Sequence, residues 1–251
     1  AELAAYAPGR AWRLVEVDRT LADVDAHKDH ILNLLHPAGT VMDLNIGAAL
    51  WLAVGASGTL RLPPPQTQLG EAGAAAPQQP AANQRLTDGQ PYTSAARVVM
   101  LGHGADEQCA GYGRHRTRFV GGGWRGLSGE LRVDVRRLWV RNLGRDDRLV
   151  SDWGREARHP FLAEPLMRAL LGGVALREVA DLRNAPGVGD KHVLRAALAQ
   201  LGLPEAAARV KRAIQFGSRI GKASNVREFG SNRAANRRNA GSVALEALAI
   251  T

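Results

Sequence analysis

Residues 96–116, "ARVVMLGHGADEQCAGYGRHR", decide how this chain folds. Residues 96–101 form a short β-branched run, which predicts a buried strand. Gly102 and Gly104 then flank His103, the acidic pair Asp106 and Glu107 follows at once, and helix-compatible residues resume. A strand, a glycine turn and a helix in that order put the acidic pair beyond the carboxyl end of a strand. Open α/β sheets bind their ligands there. Gly102 and Gly104 permit positive φ and a close approach of backbone to ligand. The helix starting near Asp106 offers free N–H groups to an anion. A carboxylate in the same place can hold Mg²⁺, which keeps its waters and bridges phosphates. The same residues also make an ordinary helix start, with Asp106 as N-cap and Glu107 as a first-turn partner of the dipole. The local pattern leaves both readings open.

Upstream, residues 11–18 ("AWRLVEVD") read as a strand. Thr20 caps a helix carrying Leu21, Val24, Ile31, Leu32 and Leu35 at helical spacing, with Asp23 completing a capping box. A second helix, residues 43–53, is apolar on most sides and reads as buried. The order strand, helix, helix, strand, helix implies a parallel sheet with helical crossovers. Residues 57–94 interrupt it. Their Pro, Gln, Ala and Gly content buries too little apolar surface to offset ordering entropy, so a disordered insertion is expected. Downstream the chain turns helical, over 127–143, from Pro160 to near Gly172, over 191–201 and over 204–214. The expected organisation is one domain, 1–224, followed by a loosely ordered basic tail, 225–251.

The chain has 251 residues, 45% hydrophobic, enough for a real core of mostly Leu, Val and Ala. The net charge of +9 is spread along the chain, without the aromatic interleaving of a nucleic-acid stacking platform. A solvated basic surface is therefore expected and no nucleic-acid partner. The longest apolar run, residues 46–56, is too short to cross a bilayer, so no membrane partner is expected. Cys109 is the only cysteine, which excludes an intrachain disulfide and points to a reducing, cytoplasmic setting. No local base or anion hole accompanies it, so a core role is expected for it.

Two further segments hold charge beside apolar sequence. In "GREARHPFL" a Glu156–Arg158 ion pair buried at a domain joint is the ordinary reading. In "GDKHVLR", Lys191 stands at a helix start, the wrong end for a cation unless an anion docks there as well. A third basic stretch, "RVKRAIQFGSRIGK", reads as a loop over the site or as a solvated helix end.

Together these segments resemble the asparagine synthetases and their relative β-lactam synthetase. "GHGADEQCAGY" resembles the family's GxGxDExxxGY element, "GREARHPFL" its GxEARxPFLD element, "DKHVLR" an EKHILR-like element, and "RVKRAIQFGSRIGK" a late RxKxQFxxGVG-like one. The resemblance implies an ATP pyrophosphatase-type (adenine nucleotide alpha hydrolase-like) parallel sheet with helices on both faces and a mostly helical C-terminal half. It implies ATP and Mg²⁺, with Asp106 as metal ligand. Gly102, Gly104, Asp106 and Lys191 would contact the nucleotide phosphates, and Lys191, Glu107 and His103 would be catalytic. The implied reaction adenylates the aspartate side chain and transfers ammonia from glutamine, delivered by a glutaminase domain expected in a longer protein. Departures accompany the matches. His103 stands where the family has a proton-handling glutamate, Ala163 replaces the aspartate of PFLD, and no SGGxDS loop or terminal-cysteine glutaminase occurs. Ala1 is expected not to be the natural start, the fragment alone is expected to be inactive, and the alternative expectation is a non-catalytic synthetase fold kept for interaction.

Overall fold

A computed structural model describes residues 2–37, 39–63 and 86–245. It is a mixed α/β structure, with one antiparallel and one parallel sheet set among helices.

Thr20 caps the Leu21–Ala26 helix as its capping box predicts. Its Oγ1 accepts from the Asp23 N–H at 3.3 Å, and its own N–H donates to Asp23 Oδ2 at 2.7 Å. The single helix expected up to Leu35 is instead two. His27 leaves helical geometry, and Lys28–Leu35 starts afresh. The Val41–Gly55 helix is the buried helix expected. Thr40 caps it through the Asp43 N–H at 3.1 Å. Ile31, Leu35, Ala48, Trp51, Val54, Leu149 and Val150 form the main core around it. A fully buried Leu or Ile contributes about 1.5–3 kcal/mol, so this helix organises the chain's largest apolar store.

The sheet departs from expectation. Strand β1 (Leu14–Glu16), the core of the 11–18 run, pairs antiparallel with β2 (Ser57–Arg61), which pairs antiparallel with β3 (Pro91–Thr93). Ala56, at φ 49°, reverses the chain after the Val41–Gly55 helix and sends β2 back along β1. The two ends of the segment expected to be disordered are therefore paired strands. Its middle, residues 64–85, lies outside the described residues. Among the described residues, parallel pairing occurs only between β4 (Val98–Met100) and β5 (Glu156–Arg158), with Val99 opposite Ala157. The glycine turn and two long helical stretches make the crossover.

β5 is the EAR triplet. Glu156 and Arg158 pair at 2.8 Å but stay about 60% exposed, so the pair is not the buried joint expected; the strand backbone does the joining. Gly113–Leu138 is one bent helix, kinked at Gly123, and runs through a π turn, Trp139–Leu143, into Gly144–Ser151. The helix expected over 204–214 stops at Ala208. The Arg195 guanidinium takes the carbonyls of Ala207 (2.6 Å) and Arg209 (2.8 Å), which holds the following residues off the helical path. Residues 220–245, expected to be loose from 225 onward, contain the Ile220–Phe229 and Asn232–Arg237 helices, and a bridge from Ala244 back to Thr40.

Candidate functional site

The turn after β4 is built around Gly104. At φ 95° it takes a conformation open to glycine, and a Cβ there would lie 2.4 Å from Leu162 Cδ2. Its N–H donates to Glu107 Oε2 at 3.1 Å, which closes the start of the Ala105–Gln108 helix. Gly102 differs: a Cβ there would meet nothing within 4 Å. The expected close approach at Gly102 is therefore not required by the protein's own packing.

Asp106 and Lys191, expected together, do meet. The Lys191 N–H donates to the Cys109 carbonyl at 2.8 Å, and Lys191 takes φ 53° just before the His192–Gln200 helix. That geometry aims Lys191 Nζ to 2.9 Å from Asp106 Oδ1. The contact is off the hydrogen-bonding direction, so the buried Oδ1 has a charge partner but no hydrogen-bond donor. Lys211 Nζ approaches the other oxygen, Oδ2, at 4.0 Å and sits 4.7 Å above the Tyr112 ring. A half-buried carboxylate thus stands between two lysines, and the local excess of positive charge favours an anion.

Glu107 is buried and braces the turn. Its second oxygen accepts the Tyr112 hydroxyl at 2.5 Å. Burial, reinforced by that hydrogen bond, pushes the Tyr112 phenol above its ordinary value. Glu107 thereby fixes the ring under Lys211.

His103 faces another way. Its Nε2 lies 2.7 Å from Asp146 Oδ2, and its Nδ1 is buried without a partner. Asp146 is 1% exposed, and Arg145 holds both its oxygens at 2.6 and 3.1 Å while reaching Asp43 at 3.3 Å. Burial alone would raise the Asp146 carboxyl; hydrogen bonds from His103 and Arg145 outweigh it and hold the group below the usual carboxylate range. The neighbouring His159, its ring 5.2 Å from that of His103, is pushed down by burial and by the second imidazole. The expected residues thus divide into an Asp106–Lys191 centre and a His103–Asp146 network.

Sequence reasoning gives no site role to Tyr112 or Asp146, and places Lys211 only in a stretch that reads as a loop over the site or a solvated helix end. The helix ends at Ala208, so Lys211 lies in a non-helical segment. Asp146 lay in "RNLGRDDR", which reads as surface charge.

Cys109 is fully buried, and burial raises its thiol to about 12. Thiol alkylation near pH 8 is expected to be no faster than global unfolding, in line with the core role. Rapid labelling of native protein would contradict this placement.

Asp106 is the carboxylate here that could hold a divalent cation, since its buried Oδ1 lacks a hydrogen-bond donor. One protein carboxylate suits Mg²⁺, which takes its other ligands from phosphate and water.

The strand–turn–helix presents a lysine-flanked carboxylate, and the chain belongs to the asparagine synthase family. That family's model matches residues 117–248, more than half of the chain. Asparagine synthetase domain-containing protein 1 of Bos taurus is 40% identical over 233 residues, 92% of this chain and 33% of the relative. The Homo sapiens protein of the same name is 38% identical over 92% of this chain and 32% of its own length. An asparagine synthetase domain-containing protein of Saccharomyces cerevisiae is 30% identical over 84% of this chain and 34% of its own. The chain spans about a third of the length of the curated relatives it matches. No solved structure gives a significant match. Among the described residues, no helix is long and apolar enough to cross a membrane.

Proposed function

We propose that this chain is the ATP-using part of a glutamine-dependent asparagine synthetase-type protein, with an ATP pyrophosphatase-type fold. Its chemistry is adenylation of the aspartate side chain, followed by amide transfer from glutamine-derived ammonia supplied by a glutaminase domain of a longer protein. The observation that carries this reading is the Asp106 carboxylate in the helix that follows β4 and its glycine turn, with one oxygen lacking a hydrogen-bond donor and a lysine on either side.

Mg²⁺, when bound, neutralises phosphate charge and orients the pyrophosphate leaving group. Asp106 holds it. Lys191 and Lys211 stabilise the negative charge that grows on the departing phosphates, where fixed cations in a poorly solvated site act most strongly. Glu107 and Gly104 fix the turn that presents Asp106, and Tyr112 supports Lys211. All of these are positions that the family elements cover.

A second reading, a synthetase fold kept for interaction, draws on one observation. His103, at the family's glutamate position, is engaged with buried Asp146. Calorimetric titration with Mg²⁺ and a non-hydrolysable ATP analogue separates the two. Saturable binding that Asp106→Ala weakens by roughly tenfold or more, about 1.4 kcal/mol, supports the nucleotide reading. Equal binding by both proteins removes Asp106 from the site, and no binding by the parent favours the interaction reading.

A further inference from the structure

A groove of about 460 Å³ lies between the second half of the Gly113–Leu138 helix and the π turn Ala169–Gly173, which follows the Glu164–Arg168 helix. Leu131 and Val135 line one side, and Leu170, Leu171, Val174 and Leu176 the other. The π turn shapes the second side. Its closing bond runs from the Val174 N–H to the Ala169 carbonyl at 2.9 Å, and the widened turn buries Leu170 while leaving Leu171 48% exposed. Arg132 and Arg136, exposed and one helical turn apart, also line the groove. The acids beside them on the helix are committed elsewhere. Glu130 meets Arg114 and Arg118 at 3.4 and 3.0 Å, and Asp134 meets Arg114 and His115 at 2.6 and 2.7 Å. Among the described residues no carboxylate lines the groove, and neither Arg132 nor Arg136 has an ion pair or a side-chain hydrogen bond.

Gln108 joins the lining and is 1% exposed. Its Nε2 donates to the carbonyls of Gly104 at 3.1 Å and Phe161 at 2.7 Å. Both amide hydrogens are therefore used, and the amide cannot turn over without setting its oxygen against two carbonyls. Its Oε1 is left buried with no donor. Such an oxygen costs stability unless a ligand N–H meets it. The groove thus asks for three things at once: apolar side chains, carboxylates and an N–H. Guanidiniums fork onto carboxylates. An extended peptide supplies all three. It carries unpaired N–H groups along its length, whereas a helix leaves them free only in its first turn. Its side chains alternate between two faces, so apolar ones can enter the groove while acidic ones between them reach the arginines at its edge. A fatty acid would supply the apolar chain and the carboxylate but no N–H.

We propose that the groove between the Gly113–Leu138 helix and the Ala169–Gly173 π turn is a docking site for an extended polypeptide segment in which acidic and large apolar residues alternate. The apolar side chains pack against Leu131, Val135 and Leu171, the carboxylates pair with Arg132 and Arg136, and a backbone N–H meets Gln108. Aromatic or aliphatic anchors in a pocket, with arginine beside them, are the usual centre of a protein–protein contact. The assignment is independent of the nucleotide reading of Asp106.

Fluorescence anisotropy with short labelled peptides tests it. The probes are an alternating glutamate–leucine peptide, its lysine–leucine and glutamate–serine counterparts, and oleate as a competitor. The parent is expected to bind the glutamate–leucine peptide saturably and at least about tenfold more tightly than either counterpart. Leu171→Ser should weaken that binding by about tenfold or more. The double variant Arg132→Glu, Arg136→Glu should lose the glutamate–leucine peptide and gain the lysine–leucine one, an exchange that a merely structural role would not produce. All three positions are exposed, so each variant should keep the parent's circular dichroism. An absence of saturable glutamate–leucine binding by the parent overturns the proposal, as does parent-like binding by Leu171→Ser or by the double variant. Equal binding of the glutamate–serine peptide would reduce the site to surface charge, and oleate binding as tight as the peptide's would give the groove to a lipid-like anion; either result also overturns it.

Discussion

Gly111→Ala is expected to abolish the nucleotide affinity proposed for this chain while leaving most of the fold intact. A Cβ at position 111 would lie 1.8 Å from Asp106 Oδ1 and 2.6 Å from Lys191 Cε, distances that no side chain tolerates. The φ of Gly111 is not positive, so the penalty is steric and falls on the two groups that meet there. The Gly111 N–H donates to the Asp106 carbonyl at 2.9 Å, which ties the backbone in place and prevents an easy retreat. Asp106 must leave its rotamer, at about 0.5–1.5 kcal/mol, or the turn must open. Overpacking of this kind destabilises by about 1–3 kcal/mol. Affinity for Mg²⁺ with an ATP analogue should fall by more than about tenfold. Gly113→Ala is the control, since a Cβ there meets nothing within 4 Å. Equal losses in both variants would show that Gly111 has no special place.

The largest loss of stability is expected from Asp146→Ala. The substitution strands the Arg145 guanidinium, whose side chain is 7% exposed, with only Asp43 at 3.3 Å. It also removes the partner of His103. Breaking a buried ion pair from one side costs about 3–5 kcal/mol. The same carboxylate makes stability depend on acid. Its folded value lies below the ordinary one, so the native state binds fewer protons than the unfolded chain as pH falls through the carboxylate range. Its contribution is complete above the unfolded value, about 3.9, and is lost as pH falls through the folded value. Urea unfolding between about pH 3 and 7 should show stability falling on the acid side. The Asp146→Ala protein should show a flatter acid limb as well as a lower midpoint. An unchanged acid limb would show that other carboxylates dominate it.

Several elements were legible in the chain because they depend on residues a few positions apart. The Thr20–Asp23 capping box, the apolar helix after Thr40 and the glycine turn at Gly104 each close a local ring of hydrogen bonds. Lys191 could be singled out because a cation at a helix start breaks a local rule, and the structure gives it a carboxylate partner. Other features were misread for the same local reasons. Ser57–Arg61 has too few β-branched residues to announce a strand, and only its pairing with Leu14–Glu16 makes it one. The 204–214 stretch has helical composition, but Arg195 captures the carbonyls that would continue the helix.

Lys211 comes within 4.0 Å of Asp106 in a segment that has left the Pro204–Ala208 helix, and Glu107 holds the Tyr112 hydroxyl beneath it. Asp146 reads as one more charge in a charged run until the packing of Gly144–Ser151 against the core buries it beside His103 and Arg145. The sequence alone carried the family elements and the turn that presents the acidic pair, since backbone conformation and short-range hydrogen bonds are set by near neighbours. Which lysine meets Asp106 and which carboxylate receives His103 were decided by tertiary packing. Those partners lie far apart in the chain, and only burial of the core brings them within reach.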